Sequence, residues 1–403
     1  MNFLIYSNEK YSYEQLLQDV NSDRSYYQYY QTDNLRLFLV NFIIALTRNQ
    51  PITLIDSDIS TSEIDLDLNL INSQTELISS IPFNSIDDLI NAFIGSTSQI
   101  TIFTSGTTGQ PKKVVHSLST LGRDIRTGDK YKNQIWGFAY NPTHMAGIQV
   151  FLQAFANKNK IINIFNTPRL EVYKLINEYQ ITHISATPTF YRLLKPFENS
   201  YQSVIRITFG GEKSNENLHE EIRRIFPNAK VNNIYASTEA GSIFWSKGEN
   251  FLIPPSINDL VKIKNDEILL HKSLLGVSDT LELNNNFYHT GDIVEWIDEE
   301  NGIFKFKNRK NELINVGGYK VNPHEVESEI SKIKGVEHVI VYGKSNSVLG
   351  NILCAEIVSS DAKLNELKIR QFLSDKLQDF KIPRRIIFTD KIELTRTGKT
   401  KRI

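Results

Sequence analysis

Over residues 100–226, short apolar runs rich in β-branched and aromatic side chains alternate with stretches of helical periodicity. That alternation constrains the fold more than any other feature of the chain. The runs 100–103 (ITIF), 135–139 (IWGFA), 161–165 (IINIF), 181–186 (ITHISA) and 204–209 (VIRITF) end near turn formers and read as buried strands. Helical patterns lie between them, at 170–179 and 215–226. Strand and helix taken in turn predict an α/β fold, a large N-terminal domain of mixed sheets flanked by helices. From about residue 267 the runs shorten, to 267–270, 287–289, 293–297 and 303–306. The last two flank Asp298-Glu-Glu-Asn-Gly302, a hairpin signal, so a small antiparallel β unit is expected there. Beyond the charged stretch 305–312, a helix near Pro323, strands at 336–342 and 352–358, a helix at 364–377 and a strand at 386–389 predict a small α+β C-terminal domain. The boundary falls near Arg309, giving an N-terminal domain over 1–308 and a C-terminal domain over 309–403.

Charge and cysteine content exclude several classes. Lys plus Arg total 45 and Asp plus Glu total 46, so no basic excess favours nucleic acid or an anionic membrane. The most apolar run, 37–46 (LFLVNFIIAL), is flanked by Arg36 and Arg48. A membrane span needs about 20 apolar residues, so this run reads as a buried helix. The one cysteine, Cys354, allows no intramolecular disulfide and no multi-cysteine zinc site. It reads as a structural residue in an apolar strand. With no signal-peptide pattern at the N-terminus, a cytoplasmic location is expected. No Gly-x-Ser-x-Gly occurs, which argues against an α/β hydrolase.

The chemistry concentrates after the strand at 100–103. There the chain reads Thr104-Ser-Gly-Thr-Thr-Gly-Gln-Pro-Lys-Lys113. Glycines permit a tight turn whose N–H groups converge, hydroxyls add donors, and lysine adds a point charge. Such a loop suits phosphate. It is not a Walker loop, because Pro111 stands where glycine must precede the lysine.

This string resembles the signature loop of the adenylate-forming superfamily, which includes acyl-CoA synthetases, aryl-CoA ligases and adenylation domains. Further motifs follow in that family's order. Asn141-Pro-Thr-His-Met-Ala-Gly147 resembles the segment beside the acyl pocket, and Thr208-Phe-Gly-Gly-Glu212 the strand-turn beside adenine. Tyr235-Ala-Ser-Thr-Glu239 resembles the motif with an adenine-stacking tyrosine, and Tyr288-His-Thr-Gly-Asp292 the ribose-binding segment. Arg309 begins a stretch, RKNELINVGGYKVNP, that resembles the hinge and the opening of the mobile C-terminal domain. Thr397-Gly-Lys-Thr-Lys-Arg402 resembles the closing motif with its catalytic lysine. Lys113 departs from the family's usual glycine. The phosphate loop is preceded by only 103 residues, fewer than the family usually has, so the first subdomain reads as abridged.

The resemblance implies an acid–thiol ligase that uses ATP and Mg²⁺. Lys399, Thr238 and Glu239 would be catalytic, with Glu239 holding the metal. ATP or AMP would be bound by Thr104, Ser105, Gly106, Thr107, Thr108, Gly109, Lys112, Gly211, Glu212, Tyr235, Asp292 and Arg309. His144, Gly210 and Ala236 would line the acyl pocket, Gly317 and Gly318 the thiol tunnel, and Asn311 would be the hinge. The acceptor would be CoA or the phosphopantetheine of a carrier protein, and a homodimer is an open expectation. Bland readings stand beside these: Glu239 as an acid at a helix start, Asp292 as a turn acid, His144 as a core histidine. No aspartate lies between Phe138 and His144, where amino-acid-activating relatives carry the partner of the substrate ammonium. An aryl or short-to-medium acyl acid is therefore expected. Amino-acid adenylation and a non-catalytic adenylate-binding subunit remain as alternatives.

Overall fold

The computed structural model describes the chain except residues 60–63, 65, 78–80, 105–111, 196–198, 213, 215, 317–318, 347–349 and 395–403. At 68, 104, 247, 311, 320 and 350 it describes the backbone alone. One sheet spans the larger part of the molecule. Its parallel half runs Lys230–Ser237, Arg206–Gly210, His183–Ala186, Ile135–Phe138, Lys160–Asn163 and Asn2–Tyr6, with Glu9–Ser12 as an antiparallel edge. The helices Met145–Ala156, Arg169–Tyr179, Pro188–Leu193 and Glu216–Ile225 are the crossovers that parallel pairing requires. His183–Ala186 is buried at every position, as a strand covered on both faces must be.

Two strands begin later than the sequence suggests. Ile181 and Val204 are fully buried but precede His183 and Arg206, where pairing starts. The Ile181 N–H is spent on the Ile176 carbonyl, closing the helix that ends at left-handed Gln180. These apolar side chains anchor loops to the core.

The expected antiparallel strands are present and continue the large sheet. Gly241–Lys247, Asn250–Leu252, Ile303–Arg309, Phe287–Asp298, Glu267–His271 and Val261–Lys264 extend the same sheet, joined where Asn250 faces Lys305. The expected hairpin is present, with Asp298 opposite Ile303. The runs 287–289 and 293–297 belong to one strand, interrupted by an irregularity in which Glu267 faces Ile293 and Leu269 faces His289. Gly291, at φ +74°, makes that local bend possible.

A smaller sheet pairs Tyr29–Gln31, Ile52–Ile55 and Gln99–Thr104 in parallel, with Lys112–Ser117 antiparallel at its edge. The apolar helix Leu35–Thr47 is buried between the layers. Phe42, Phe93, Phe151 and Phe155 pack edge to face and stacked around it, the closest rings, Phe93 and Phe155, 4.8 Å apart. Among the described residues no helix is long and apolar enough to cross a membrane.

The C-terminal unit has its own five-stranded sheet and its own core, built on Val321, Val326, Ile330, Ile357, Ile369 and Leu373. Its first strands, Ile314–Val316 and Tyr319–Val321, are too short for periodicity to reveal and bracket 317–318. Cys354 is buried in the strand Gly350–Ser359 and forms no disulfide.

Candidate active site

A cleft of about 1480 Å³ lies between the large sheet and the C-terminal unit. Lys112, His144, Gly211, Glu212, Tyr235, Ala236, Thr238, Glu239, Asp292 and Arg309 all reach it. Its floor is where the parallel strands end, the usual ligand position in an open α/β sheet.

Lys112 is brought in by a strand pair. Thr104 lies opposite Lys112 in the antiparallel ladder, and that pairing sets Lys112 at the cleft. Ser105, Gly106, Thr107, Thr108 and Gly109 fall outside the described residues, as does the side chain of Thr104.

Thr238 and Glu239 sit in the tight turn between Lys230–Ser237 and Gly241–Lys247, so Glu239 is not a helix-start acid. Residues distant in sequence fasten this turn. His116 Nε2 is 2.7 Å from the Thr238 carbonyl, and the Gly276 N–H donates to the Glu239 carbonyl at 2.7 Å. Arg123 donates to the Ala240 and Leu274 carbonyls. Burial pushes the His116 imidazole below its ordinary pKa, favouring the neutral ring. A carbonyl only accepts, so Nε2 carries the hydrogen.

Asp292 is 3 % exposed and lies directly across the ladder from Arg309. Arg309 Nε donates to Oδ1 at 2.5 Å and Nη2 to Oδ2 at 3.3 Å, while the Tyr235 hydroxyl donates to Oδ2 at 2.6 Å. Burial raises the Tyr235 pKa, and the Asp292 charge adds to it. Burial opposes charge on Arg309, but Asp292 outweighs it and holds the guanidinium above its ordinary range. Oδ2 already accepts two hydrogen bonds, whereas Oδ1 accepts one and keeps capacity for a further hydroxyl. The Tyr235 ring is stacked with Phe306 at 4.8 Å and Phe244 at 5.3 Å, so its aromatic face is packed within the protein.

On the opposite wall, His144 opens the helix Met145–Ala156. Its Nε2 is 2.9 Å from Asp56 Oδ2, and Asn141 Nδ2 donates to both Asp56 oxygens at 3.0 and 2.9 Å. Burial works against the Asp56 charge, but His144 and Asn141 hold its pKa below the usual carboxylate value. Gly147 is required here: a Cβ would lie 2.2 Å from the Asn141 carbonyl. Gly210 approaches the buried Tyr140 hydroxyl, and Glu212 accepts from the Thr189 N–H and hydroxyl at 3.0 and 2.7 Å. Glu212 thus secures the start of the helix Pro188–Leu193.

Residues 96–267 match the model of the AMP-binding enzymes, and residues 325–399 match that family's C-terminal domain. The chain belongs to the AMP-binding, adenylate-forming family. A 2-succinylbenzoate–CoA ligase of Staphylococcus epidermidis is 28% identical over 335 residues, 75% of this chain and 68% of that enzyme. One from Staphylococcus aureus is 26% identical over 376 residues, 86% and 74% of the two chains. ATP-bound MatB from Rhodopseudomonas palustris superposes with a TM-score of 0.74 at 18% identity, covering 99% of this chain and 94% of that one. The o-succinylbenzoate CoA synthetase MenE of Bacillus subtilis, with its acyl-adenylate intermediate, gives 0.71 at 18% identity and the same coverage. These structures share the fold.

For this family member, Gly317, Gly318 and Lys399 lie outside the described residues, as does the Asn311 side chain. Sequence reasoning did not single out His116, Gly276 or Arg123: His116 and Arg123 act across more than a hundred positions, and Gly276 reaches back from a separate segment to Glu239. Replacing Asp56 with alanine should strand two donors, the Asn141 amide and the His144 ring. Chemical denaturation should show a loss of roughly 2–4 kcal/mol, with a smaller loss for Asp56→Asn.

Proposed function

We propose that the protein activates a carboxylic acid with ATP and Mg²⁺ and then passes the acyl group to a thiol, that of CoA or of a carrier-protein pantetheine. In the first step a carboxylate oxygen attacks the α-phosphorus, and the bond to the β-phosphate breaks to release pyrophosphate. The observation that carries this reading is the meeting, in one cleft, of Lys112, Glu239 and the Asp292–Arg309–Tyr235 cluster.

Each of these groups meets one charge of the reactants. Asp292 Oδ1 accepts from a ribose hydroxyl, the carboxylate's position fixed beforehand by Arg309 and Tyr235. Lys112 faces the outer phosphates as a point charge. Among the described residues no cluster of three acids or histidines could hold a metal by itself. A lone Glu239 fits Mg²⁺, which binds through one or two carboxylates plus the substrate's phosphates. When bound, the ion offsets the charge of the departing pyrophosphate. Lys399 is the family's candidate for the α-phosphate, and the backbone at 317–318 for the pantetheine path. No general base is needed, because the acid is already ionised near neutral pH.

The curated relatives named above act on 2-succinylbenzoate, and an aryl acid is our preferred substrate class. The acyl wall supports an acid without an α-ammonium. Asp56 stands near the expected pocket, but its oxygens are taken by His144 and Asn141. An ammonium would meet no uncommitted carboxylate there and would lose several kcal/mol on desolvation. An α-amino acid should therefore have a lower kcat/KM than its deaminated analogue, by about tenfold or more. An amino acid that outperformed its analogue would reverse this assignment. Pyrophosphate release over a panel of acids tests the activity itself.

A further inference from the structure

Glu267 is a buried acid that the chemistry above does not use. It begins the strand Glu267–His271 and is 4 % exposed. Three donors converge on its carboxylate. The Gly291 N–H donates to Oε1 at 3.0 Å, His289 Nδ1 lies 2.9 Å from Oε2, and Lys310 Nζ donates to Oε2 at 2.7 Å. Gly291 immediately precedes Asp292. Lys310 immediately follows Arg309, the partner of Asp292, and starts the short turn Lys310–Glu312 that leads into the C-terminal unit.

Two buried acids thus hold two consecutive basic residues. Asp292 takes Arg309 and Glu267 takes Lys310. The Asp292 bend is tied down twice more: the Thr290 hydroxyl donates to the Ile268 carbonyl at 2.8 Å, and the Val294 N–H donates to the Asp266 carbonyl at 2.8 Å. Gly291 and Lys310 meet on the Glu267 carboxylate, the atom group that joins them. A small displacement of Lys310 therefore reaches the Gly291 peptide through one shared acceptor.

We infer that Glu267 is a positioning residue that couples the Asp292 bend to the first turn of the C-terminal unit, so that the nucleotide and the orientation of that unit influence each other. This rests on the proposed function, in which Asp292 holds the nucleotide ribose. Its two arms are separable by chemistry. The arm to Gly291 needs only an acceptor, which a glutamine still offers. The arm to Lys310 needs the negative charge.

The test uses the full chain with Glu267→Ala, Glu267→Gln and Lys310→Met. Calorimetry reads AMP affinity, and amide hydrogen exchange reads 290–294 and 309–316. Glu267→Ala should weaken AMP roughly tenfold, the effect of one charge-assisted hydrogen bond, and raise exchange in both segments. Glu267→Gln should recover most of the affinity lost in Glu267→Ala yet raise exchange over 309–316, as Lys310→Met does. In the wild type, AMP should slow exchange over 309–316, and both charge-removing variants should diminish that slowing. Unchanged exchange over 309–316 in Glu267→Gln and Lys310→Met, or AMP slowing that survives in them undiminished, would overturn the coupling. Failure of the wild type to bind AMP would instead defeat the functional reading, with the exchange of the variants still reporting on the clamp.

Discussion

Asp292→Ala should produce the largest loss of any single substitution in the described cleft. In the proposed role Oδ1 accepts from the ribose, and a hydrogen bond to a charged group contributes about 1.5–3 kcal/mol. Losing it should weaken AMP by roughly 10–10²-fold. Folding should suffer too. The Tyr235 hydroxyl would lose its acceptor at 2.6 Å, while half-exposed Arg309 could be rehydrated. A stability loss of about 1–3 kcal/mol is expected, from the tyrosine rather than the arginine. Calorimetry of AMP binding and urea denaturation measure the two effects. Adding Tyr235→Phe removes the stranded hydroxyl and should recover part of the stability without recovering affinity. Near wild-type AMP affinity in Asp292→Ala would remove this residue from the nucleotide site.

Stability should also fall steeply between pH 7 and pH 5. His183 and His338 are 7 % and 8 % exposed, and their pKa values are pushed down to about 4. Burial is the first cause in both. Arg206 adds to it at His183; at His338, Arg192 and Lys195 add while Glu327 opposes. Both rings therefore fold neutral, whereas the unfolded chain takes up protons near its ordinary pKa of about 6.5. A depressed pKa contributes stability that is present above the unfolded value and is lost as pH falls toward the folded one. At pH 5 the loss should be roughly 2 kcal/mol for each ring. The difference between the wild type and a His183→Asn/His338→Asn double variant isolates this contribution from that of the carboxylates. Equal pH dependence in the two proteins would refute the assignment.

The crossover half of the fold was legible because a parallel sheet covered on both faces demands apolar runs, and residues 135–138 and Ile161-Ile162 supply them. The helix Leu35–Thr47 was legible for the same reason: from Phe38 onward it is apolar round most of its circumference and buried. The bend at Gly291 was not, since an extra residue or two in a strand looks like a gap between two strands. Nor was the pairing of Ile314–Val316 with Tyr319–Val321, where three residues carry no measurable period. In the site, the cleft side chains proposed to meet a ligand announce themselves through dense motifs. The residues that hold them do not. His116 serves the Thr238 carbonyl and Asp56 serves His144 across 122 and 88 positions, through hydrogen bonds that local sequence does not encode.

The most direct test is pyrophosphate release from ATP and Mg²⁺ over aryl, short-chain and medium-chain acids, with and without CoA. Acid-dependent release of pyrophosphate, with AMP formed and a thioester made when CoA is present, is the predicted result. No release with any acid, together with no binding of ATP, would contradict the account.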